Sequence, residues 1–341
     1  SLSIPVFLVH GNHDPLASRL RSVRWPGNVT VFGELPDAVP VFRKGEGTPF
    51  AIIHGASHAS GRETRNLAAL FRRTEACGLH VGLLHATPGD ADGVARYAPF
   101  SQGDLKASGM DYWALGHIHD RREVCREPLA AYPGCTQGLH INEPGEKGCL
   151  LVTAEARPDG GYAVRTSFRP LGPAVWKTLD MDLGGAASLD ELENRLRTGL
   201  DRAAAEVWSG CEMLLVRLRL QGRTELDGLL RKGTTCAELA DRLREDGSGV
   251  PRIWIKDIDV ATRPCVERGA LLEREDLLGE VFRLSEAART ASGLQALREG
   301  PLAPLFAHAR AGKALEPLTD EELARLLDDA ESLCLDLLEN D

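Results

Sequence analysis

Short apolar runs alternate with polar stretches through the first half of the chain, and each run ends in polar residues or glycine. The runs are residues 4–9, 50–57, 80–86, 111–119 and 148–155. Short continuous apolar runs are typical of fully buried strands. Between the second and third runs, the segment 61–76 carries Leu67, Leu70 and Phe71 at helical spacing, which predicts a helix. This alternation of strands with helices and loops predicts a layered α/β domain over residues 1–172.

The pattern changes after Pro173, where helix-like and strand-like segments follow one another. These segments are 188–207, 212–222, 235–245 and 252–262. The second and fourth alternate apolar and charged residues, which is typical of half-exposed strands. Ser188 and Glu191 form a predicted capping box at the start of the first helix. The pattern predicts a smaller α+β cap domain over residues 173–285, with antiparallel strands.

Residues 286–341 are predicted to form a C-terminal helical segment. Its last helix begins after Thr319, which forms a capping box with Glu322. One face of that helix is apolar, and acidic residues lie opposite. The apolar face consists of Leu323, Leu326, Leu327, Ala330, Leu333 and Leu337. Packing against the chain's own cap domain and docking onto a partner protein both remain open.

The composition indicates a globular protein of about two domains. The chain has 341 residues, of which 43% are hydrophobic and 26% charged. No apolar run is long enough to span a membrane, and the opening SLSIPVFLVHGNHD lacks the features of a secretory signal. The eight cysteines are scattered without a C-x-x-C pair. We therefore expect a cytoplasmic protein without a disulfide framework.

The net charge of −10 comes mostly from one end of the chain. Residues 316–341 hold one arginine and ten acidic residues, a net charge of −9. The remaining chain is close to neutral, and a neutral body can still present a local basic groove. The charge therefore neither supports nor excludes a nucleic-acid substrate.

Polar residues that bind metals follow three of the predicted strands. They are Asn12, His13, Asp14, His85, His117 and His119. Sheets of this class bind their ligands beyond the carboxyl ends of the strands, so we expect Asn12, His85, His117 and His119 to converge. Several imidazoles with an amide oxygen suit Mn²⁺, Fe²⁺ or Zn²⁺.

The motifs HGNHD (10–14), LLHATPG (83–89) and LGHIH (115–119) resemble those of the calcineurin-like metallophosphoesterases. The stretch AAYPGCTQGLHINEPGEKG (130–148) and the ATRP at 261–264 are similar to the SbcD/YhaO-type DNA repair exonucleases. The resemblance implies a layered metallophosphoesterase β-sandwich flanked by helices. It also implies a metal-dependent DNA phosphodiesterase or exonuclease of DNA repair, a nuclease subunit that uses two divalent ions, with Mn²⁺ favoured.

The resemblance also implies roles for the metal ligands. Asn12, His85 and His117 would bind one metal of a two-metal centre, and His119 would bind the other. Two such ions neutralise the phosphodiester oxygens and activate the attacking water.

Other residues near these motifs receive roles from the resemblance as well. His13 would protonate the leaving oxygen or stabilise the transition state. Asp14 would orient His13, although a loop cap explains an aspartate there equally well. Arg121 and Arg122 follow the third motif and are candidate DNA-binding residues, with solvated surface positions as the alternative.

One departure from the family pattern affects the expected activity. The family begins with D-x-H and G-D-x-x-D motifs, and neither precedes HGNHD here. We therefore expect the chain to be N-terminally incomplete and inactive as it stands. Two other functions remain open: a calcineurin-like phosphoesterase acting on nucleotides or phosphoproteins, and a non-catalytic DNA-repair scaffold.

The expected partners follow from the same resemblance. They are DNA, an SMC-like ATPase of the SbcC/YhaN type and a second copy of the chain in a homodimer. No membrane partner is expected. The ATPase would dock onto the C-terminal helix, because nucleases of this type hold their ATPase through such a segment.

Overall fold

The computed structural model describes residues 4–19, 23–89, 96–158, 160–245, 249–265, 267–308 and 318–338. Its residues separate into two compact units. The first is built from the described residues of Ser1–Leu183, Ser188–Gln221 and Leu229–Ala261. The second is built from those of Gly184–Ala187, Gly222–Gly228 and Thr262–Asp341. The division at residues 172 and 285 stays a prediction.

The first unit contains a six-stranded mixed sheet. A short parallel pair precedes it, formed by β1 (Val6–Leu8) and β2 (Val29–Val31). The six strands are β3 (Asp37–Val41), β4 (Ala51–Ala56), β5 (Leu79–His85), β6 (Tyr112–Gly116), β7 (Arg122–Arg126) and β8 (Leu129–Tyr132). Their order is β3-β4-β5-β6-β8-β7, with β4, β5, β6 and β8 parallel and both edge strands antiparallel. Since β5 and β6 are parallel neighbours, the residues after them emerge at one edge.

A buried apolar cluster packs against this sheet. The short helix α1 (Gln102–Ala107) contributes Leu105 to it, next to Phe71 and Trp113. Gly82 on β5 pairs with Trp113 on β6, and a Cβ at Gly82 would lie 2.6 Å from the indole ring. The sheet and its flanking helix confirm the predicted layered α/β class.

The helix predicted over 61–76 is wrong. Within this segment the structure has one 3₁₀ turn, Ala68–Leu70. Leu67 and Phe71 are fully buried, so the helical spacing comes from a single turn whose side chains pack in the core. The guanidinium of Arg72 hydrogen-bonds the carbonyl oxygens of Ala69 and Phe71, which satisfies backbone groups that a longer helix would use.

A two-stranded antiparallel hairpin follows the six-stranded sheet in sequence. It consists of β9 (Gly148–Ala156) and β10 (Tyr162–Pro170). The apolar run at 148–155 is a strand as predicted, but it is only partly buried.

The region after Pro173 contains three strands and the helices between them. They are β11 (Ala174–Asp182), α2 (Leu189–Ala205), β12 (Met213–Gln221), α3 (Asp227–Leu230), α4 (Gly233–Glu245) and β13 (Arg252–Val260). Ser188 caps α2 by accepting a hydrogen bond from the backbone N–H of Glu191, which is the N-cap half of the predicted capping box.

The predicted antiparallel order of these strands is wrong. β11 pairs with β12 in parallel, and β12 pairs with β13 in parallel. Each connection contains a helix, which supplies the long crossover that a parallel pair requires. Alternation of apolar and charged residues shows that a strand has one buried face, and it does not report the strand's direction.

The second unit is helical. Its helices are α5 (Arg268–Leu272), α6 (Leu277–Ala288), α7 (Ala291–Glu299), α8 (Ala303–Ala307) and α9 (Asp320–Leu338). Leu335 of α9 is buried with Leu271, Leu278 and Phe282. The predicted capping box is present, since Thr319 and Glu322 each accept a hydrogen bond from the other's backbone N–H.

The buried carboxylate of Glu331 anchors α9. It pairs with Arg268 at 2.5 Å and with Arg289 at 3.1 Å. The side chains of Leu326 and Leu333 are 45% and 58% exposed. One face of α9 therefore packs within its own unit while other leucines face outward. None of the helices in the described ranges combines the length and apolarity needed to cross a bilayer.

Candidate metal centre

The loop after β1 is closed by Asp14. Its Oδ1 accepts a hydrogen bond from the backbone N–H of Gly11 at 2.8 Å, and its Oδ2 lies 3.0 Å from Nδ1 of His10. Burial alone would raise the pKa of Asp14, but the hydrogen bonds from Gly11 and His10 outweigh it and hold that pKa below its ordinary value. These contacts agree with the loop-cap alternative. The neighbouring His13 is exposed.

His10 is a structural residue that the sequence analysis did not single out. It is buried, and its backbone N–H donates to the hydroxyl of Ser57 at 3.0 Å. That hydroxyl donates in turn to the carbonyl oxygen of Phe32. The loop is therefore fastened to the segment after β4 as well as closed on itself.

Three of the predicted metal ligands come together at this loop. Oδ1 of Asn12 lies 2.8 Å from Nε2 of His85, the last residue of β5. The ring of His117 follows β6, and its centroid lies 5.1 Å from that of His85. A Cβ at Gly11 would lie 2.6 Å from the His85 ring, so glycine there permits the close approach. The convergence was predicted for Asn12, His85, His117 and His119, and the geometry agrees with it for the first three.

His117 is held by an unusual backbone conformation. Its φ is +104°, in a region that residues other than glycine rarely adopt. Non-glycine residues persist in such conformations where the surroundings fix them, and they are concentrated at functional sites. This conformation changes the direction of the chain immediately after Gly116, at the end of β6. The ring of His117 also contacts that of Tyr97, with centroids 5.4 Å apart.

The environment keeps His85 neutral. Burial, followed by the charges of the nearby His117 and His58, lowers the pKa of His85 from 6.5 to about 3. Neutral imidazole is the form that binds metal ions.

The donor set fits a divalent cation. Asn12 offers an amide oxygen, and His85 and His117 offer imidazole nitrogens; this combination suits first-row divalent metals. His58 fixes the local backbone, because its Nε2 lies 2.6 Å from the carbonyl oxygen of His85. Asn12, His85 and His117 would therefore hold one ion.

His119 has a different set of neighbours. Its Nδ1 lies 2.5 Å from Oε1 of Glu143, and Oε2 of Glu143 accepts a hydrogen bond from the backbone N–H of Leu139 at 2.9 Å. The hydrogen bond from Leu139 outweighs burial, and with that from His119 it holds the pKa of Glu143 below its ordinary value. The assignment of His119 to a second metal stays a prediction.

Glu143 is a site residue that the sequence analysis missed. It lies in an irregular stretch between β8 and β9, where no periodic pattern indicates which side chains are buried. Its one signal in the sequence is an acidic residue inside the 130–148 stretch that carries the family resemblance.

The two arginines proposed to bind DNA stack on aromatic rings. The guanidinium carbon of Arg121 lies 3.8 Å from the ring centroid of Phe168, and that of Arg122 lies 5.7 Å from the centroid of Tyr132. Both arginines remain exposed. Stacking limits their motion and leaves their charge accessible, and their contact with DNA stays a prediction.

Comparison with known proteins agrees with this geometry. Residues 1–121 match the family model of the calcineurin-like phosphoesterases, and residues 176–263 match that of the metallophosphoesterase YhaO middle domain. The chain is also similar to a Bacillus subtilis (strain 168) protein called uncharacterized metallophosphoesterase YhaO. The two are 32% identical over 304 residues, which cover 88% of this chain and 71% of the relative.

Proposed function

The chain belongs to the calcineurin-like metallophosphoesterases, and from that premise we propose that it hydrolyses phosphodiester bonds in DNA as an SbcD/YhaO-type exonuclease of DNA repair. The family supports a metal-dependent phosphoester hydrolase. The observation that carries the proposal is the 2.8 Å approach of Asn12 Oδ1 to His85 Nε2 beside the ring of His117.

Exposed positive charge next to the motif residues supports a DNA substrate. Arg121 and Arg122 come after His119 and Asp120 in the sequence, and the aromatic contacts position both guanidinium groups. Arginine binds phosphate oxygens through charge-assisted hydrogen bonds. Phosphate contacts of this kind fix the position of a nucleic acid without selecting its sequence.

The site residues have distinct roles in the proposed phosphodiester hydrolysis. Divalent ions, when bound, neutralise the phosphodiester charge and lower the pKa of water. Asn12, His85 and His117 hold one ion, and His119 binds the second with its ring oriented by Glu143. His13 gives a proton to the leaving oxygen, a role that its exposed position permits.

Manganese is the proposed metal for this centre. The amide oxygen is a hard donor that suits Mn²⁺, whereas the neutral imidazoles also bind Fe²⁺ and Zn²⁺, so the choice of Mn²⁺ rests on the family resemblance. The cytoplasm is the proposed compartment, since the eight cysteines are all free and free thiols are typical of reducing surroundings.

A partner is proposed for the C-terminal helix. Leu326 and Leu333 of α9 are exposed, and acidic residues fill the first turn of this helix. We propose that an SMC-like ATPase of the SbcC/YhaN type covers these leucines, with a basic rim on its own surface.

The activity is tested with end-labelled duplex DNA and Mn²⁺. Because the proposal needs both metal positions, the assay uses residues 1–341 and a longer chain that supplies D-x-H and G-D-x-x-D motifs ahead of residue 1. We expect the longer chain to degrade DNA, and we expect His13→Ala to lower its turnover about 100-fold or more while Mn²⁺ stays bound. His308→Ala, at an exposed position of the second unit, is the matched control.

Other outcomes of this assay would overturn the proposal. Hydrolysis of nucleotides or phosphopeptides without DNA degradation would establish a phosphoesterase of another specificity. DNA binding without hydrolysis by the longer chain would establish a scaffold.

A further inference from the structure

Lys147 is a buried lysine close to the loop after β6. Its side chain is only 8% exposed. Among the described residues, its ion-pair partner is Asp120, whose Oδ1 lies 3.9 Å from Nζ, a distance too long for a hydrogen bond. No hydrogen bond between described residues involves this Nζ. Burying an ammonium group is costly unless an acceptor or an anion meets it, so we expect an anion to bind here.

Backbone contacts fix Lys147 from two sides. Its carbonyl oxygen accepts hydrogen bonds from the backbone N–H groups of Leu171 at 2.9 Å and Gly172 at 3.0 Å. The next residue, Gly148, donates its backbone N–H to the carbonyl oxygen of Cys135 at 3.0 Å. The side chain of Lys147 therefore starts from a fixed point of the main chain, and little conformational freedom is left to lose when its ammonium binds an anion.

Two neighbours place this ammonium beside His119. Asp120, which Nζ approaches, directly follows His119 in the sequence. The sulfur of Cys135 lies within 4.8 Å of Nδ1 of His119. Burial raises the pKa of the Cys135 thiol, as does Glu143, and the charge of Lys147 is the largest influence that lowers it. The ammonium is therefore close to the histidine that is proposed to bind the second ion.

We infer that Lys147 binds a non-bridging phosphate oxygen of the substrate beside His119. The inference deepens the proposed function and rests on its phosphoester hydrolase part, whereas it does not need DNA as the substrate. A phosphoester anion would supply the acceptor that the structure does not give this ammonium, through a charge-assisted hydrogen bond. Lysine suits this role because its ammonium is a compact point charge with three donors.

A structural role for Lys147 makes a different prediction. If its ammonium only holds Asp120, and with it the loop after β6, then Asp120→Asn should weaken phosphate binding as much as removal of the ammonium does. If Lys147 binds phosphate, the carboxylate of Asp120 competes with the phosphate for the ammonium. Asp120→Asn should then bind phosphate at least as tightly as the wild-type chain. The two explanations therefore differ in the sign of the effect at Asp120.

The test is a titration of the 341-residue chain with inorganic phosphate and with the diester bis(4-nitrophenyl) phosphate, followed by phosphorus NMR. A chelator removes divalent ions, so that binding is measured without hydrolysis. We expect both probes to bind to the wild-type chain. Lys147→Met keeps an apolar stem and removes the ammonium, and it should weaken the binding of both probes about tenfold or more. Lys177→Met is the matched control and should keep the wild-type affinities, because the ammonium of Lys177 already pairs with Glu206 at 2.5 Å.

Circular dichroism checks that the three variants keep the wild-type fold. Weaker binding of both probes in Lys147→Met alone would establish the contact. Unchanged affinities in Lys147→Met, an equal loss in Lys177→Met, weaker binding in Asp120→Asn, or no binding by the wild-type chain would overturn it. A loss restricted to inorganic phosphate would also overturn it, because the substrate is an ester. The readout involves neither DNA nor hydrolysis, so failure here is distinct from failure of the proposed nuclease activity.

Discussion

Gly11 allows the ring of His85 to lie directly against the loop that carries Asn12. A Cβ there would lie 2.6 Å from His85 Cε1 and Nδ1, closer than carbon and nitrogen atoms can approach without movement. The ring would have to shift away from Asn12, and the pair of ligand atoms would separate.

We therefore expect Gly11→Ala to weaken Mn²⁺ binding about tenfold or more, as when the support of a metal ligand is removed. Gly27→Ala is the matched control, because a Cβ at Gly27 has no neighbour within 4 Å among the described residues. Isothermal titration of both variants measures the effect. Equal Mn²⁺ affinities in the two variants would show that the close packing does not matter.

A pair of buried histidines makes the stability of the first unit depend on pH. Nε2 of His54 lies 2.9 Å from Nδ1 of His80, and burial, followed by the charges of His80 and Arg73, lowers the pKa of His54 from 6.5 to about 4. Between these values the unfolded chain takes up the proton and the folded chain does not. The free energy of unfolding therefore keeps its full value above pH 6.5. It falls as the pH decreases from 6.5 towards about 4.

The expected loss from His54 at the lower value is about 2–3 kcal/mol. Urea unfolding at several pH values should show a shallower pH dependence in His54→Gln by this amount. His308→Gln, at an exposed position of the second unit, should keep the wild-type dependence. Identical curves for the wild-type chain and His54→Gln would contradict this account of the buried pair.

The ligands of the proposed first metal site could be predicted because of the elements that hold them. His85 ends β5 and His117 follows β6, and parallel neighbouring strands bring such residues to one edge. Glu143 could not be predicted in this way, because it lies in an irregular segment whose burial depends on contacts distant in sequence. Asp14 shows a further limit, since one residue type suits both a loop cap and a ring-orienting role.

At the scale of elements, periodicity predicted burial better than it predicted length or direction. The positions of α2, α4 and α9 follow from their apolar faces and caps. The segment 61–76 has the same spacing over one turn, and its side-chain contacts end the helix there. The directions of β11, β12 and β13 depend on the crossover connections, which an alternating pattern does not encode.

The two faces of α9 should respond differently to substitution. Leu335 is 5% exposed and lies in the core of the second unit, whereas Leu333 is 58% exposed. Leu335→Ala should cost about 2–5 kcal/mol of unfolding free energy in that unit. Leu333→Ala should stay within about 0.5 kcal/mol. Chemical denaturation of the two variants provides the comparison.

The proposed ATPase partner is tested on the outward leucines of the same helix. Glutamate at both Leu326 and Leu333 should abolish binding of an SMC-like ATPase, because it buries charge in an apolar contact, and should leave the second unit folded. Unchanged ATPase binding by this folded double variant would exclude α9 as the docking helix. Unfolding of the second unit by the double variant would show that these leucines belong to the core.

At the scale of the whole molecule, the sequence motifs predicted the family and the layered α/β class. The chain matches the calcineurin-like phosphoesterases at its beginning and the YhaO middle domain further on. The two compact units of the structure could not be read from the sequence. Residues 184–187 and 222–228 pack with the helical unit, although residues of the first unit flank both segments in the sequence. Only tertiary contacts show to which unit these two segments belong.

The central claim is that Asn12, His85 and His117 bind a divalent metal, and Mn²⁺ titration followed by electron paramagnetic resonance tests it most directly. The account predicts bound Mn²⁺ with imidazole nitrogen couplings in the wild-type chain and in His308→Asn, at an exposed position of the second unit. His85→Asn should bind Mn²⁺ about tenfold or more weakly and lose part of those couplings. Equal affinity and unchanged nitrogen couplings in His85→Asn would contradict the account.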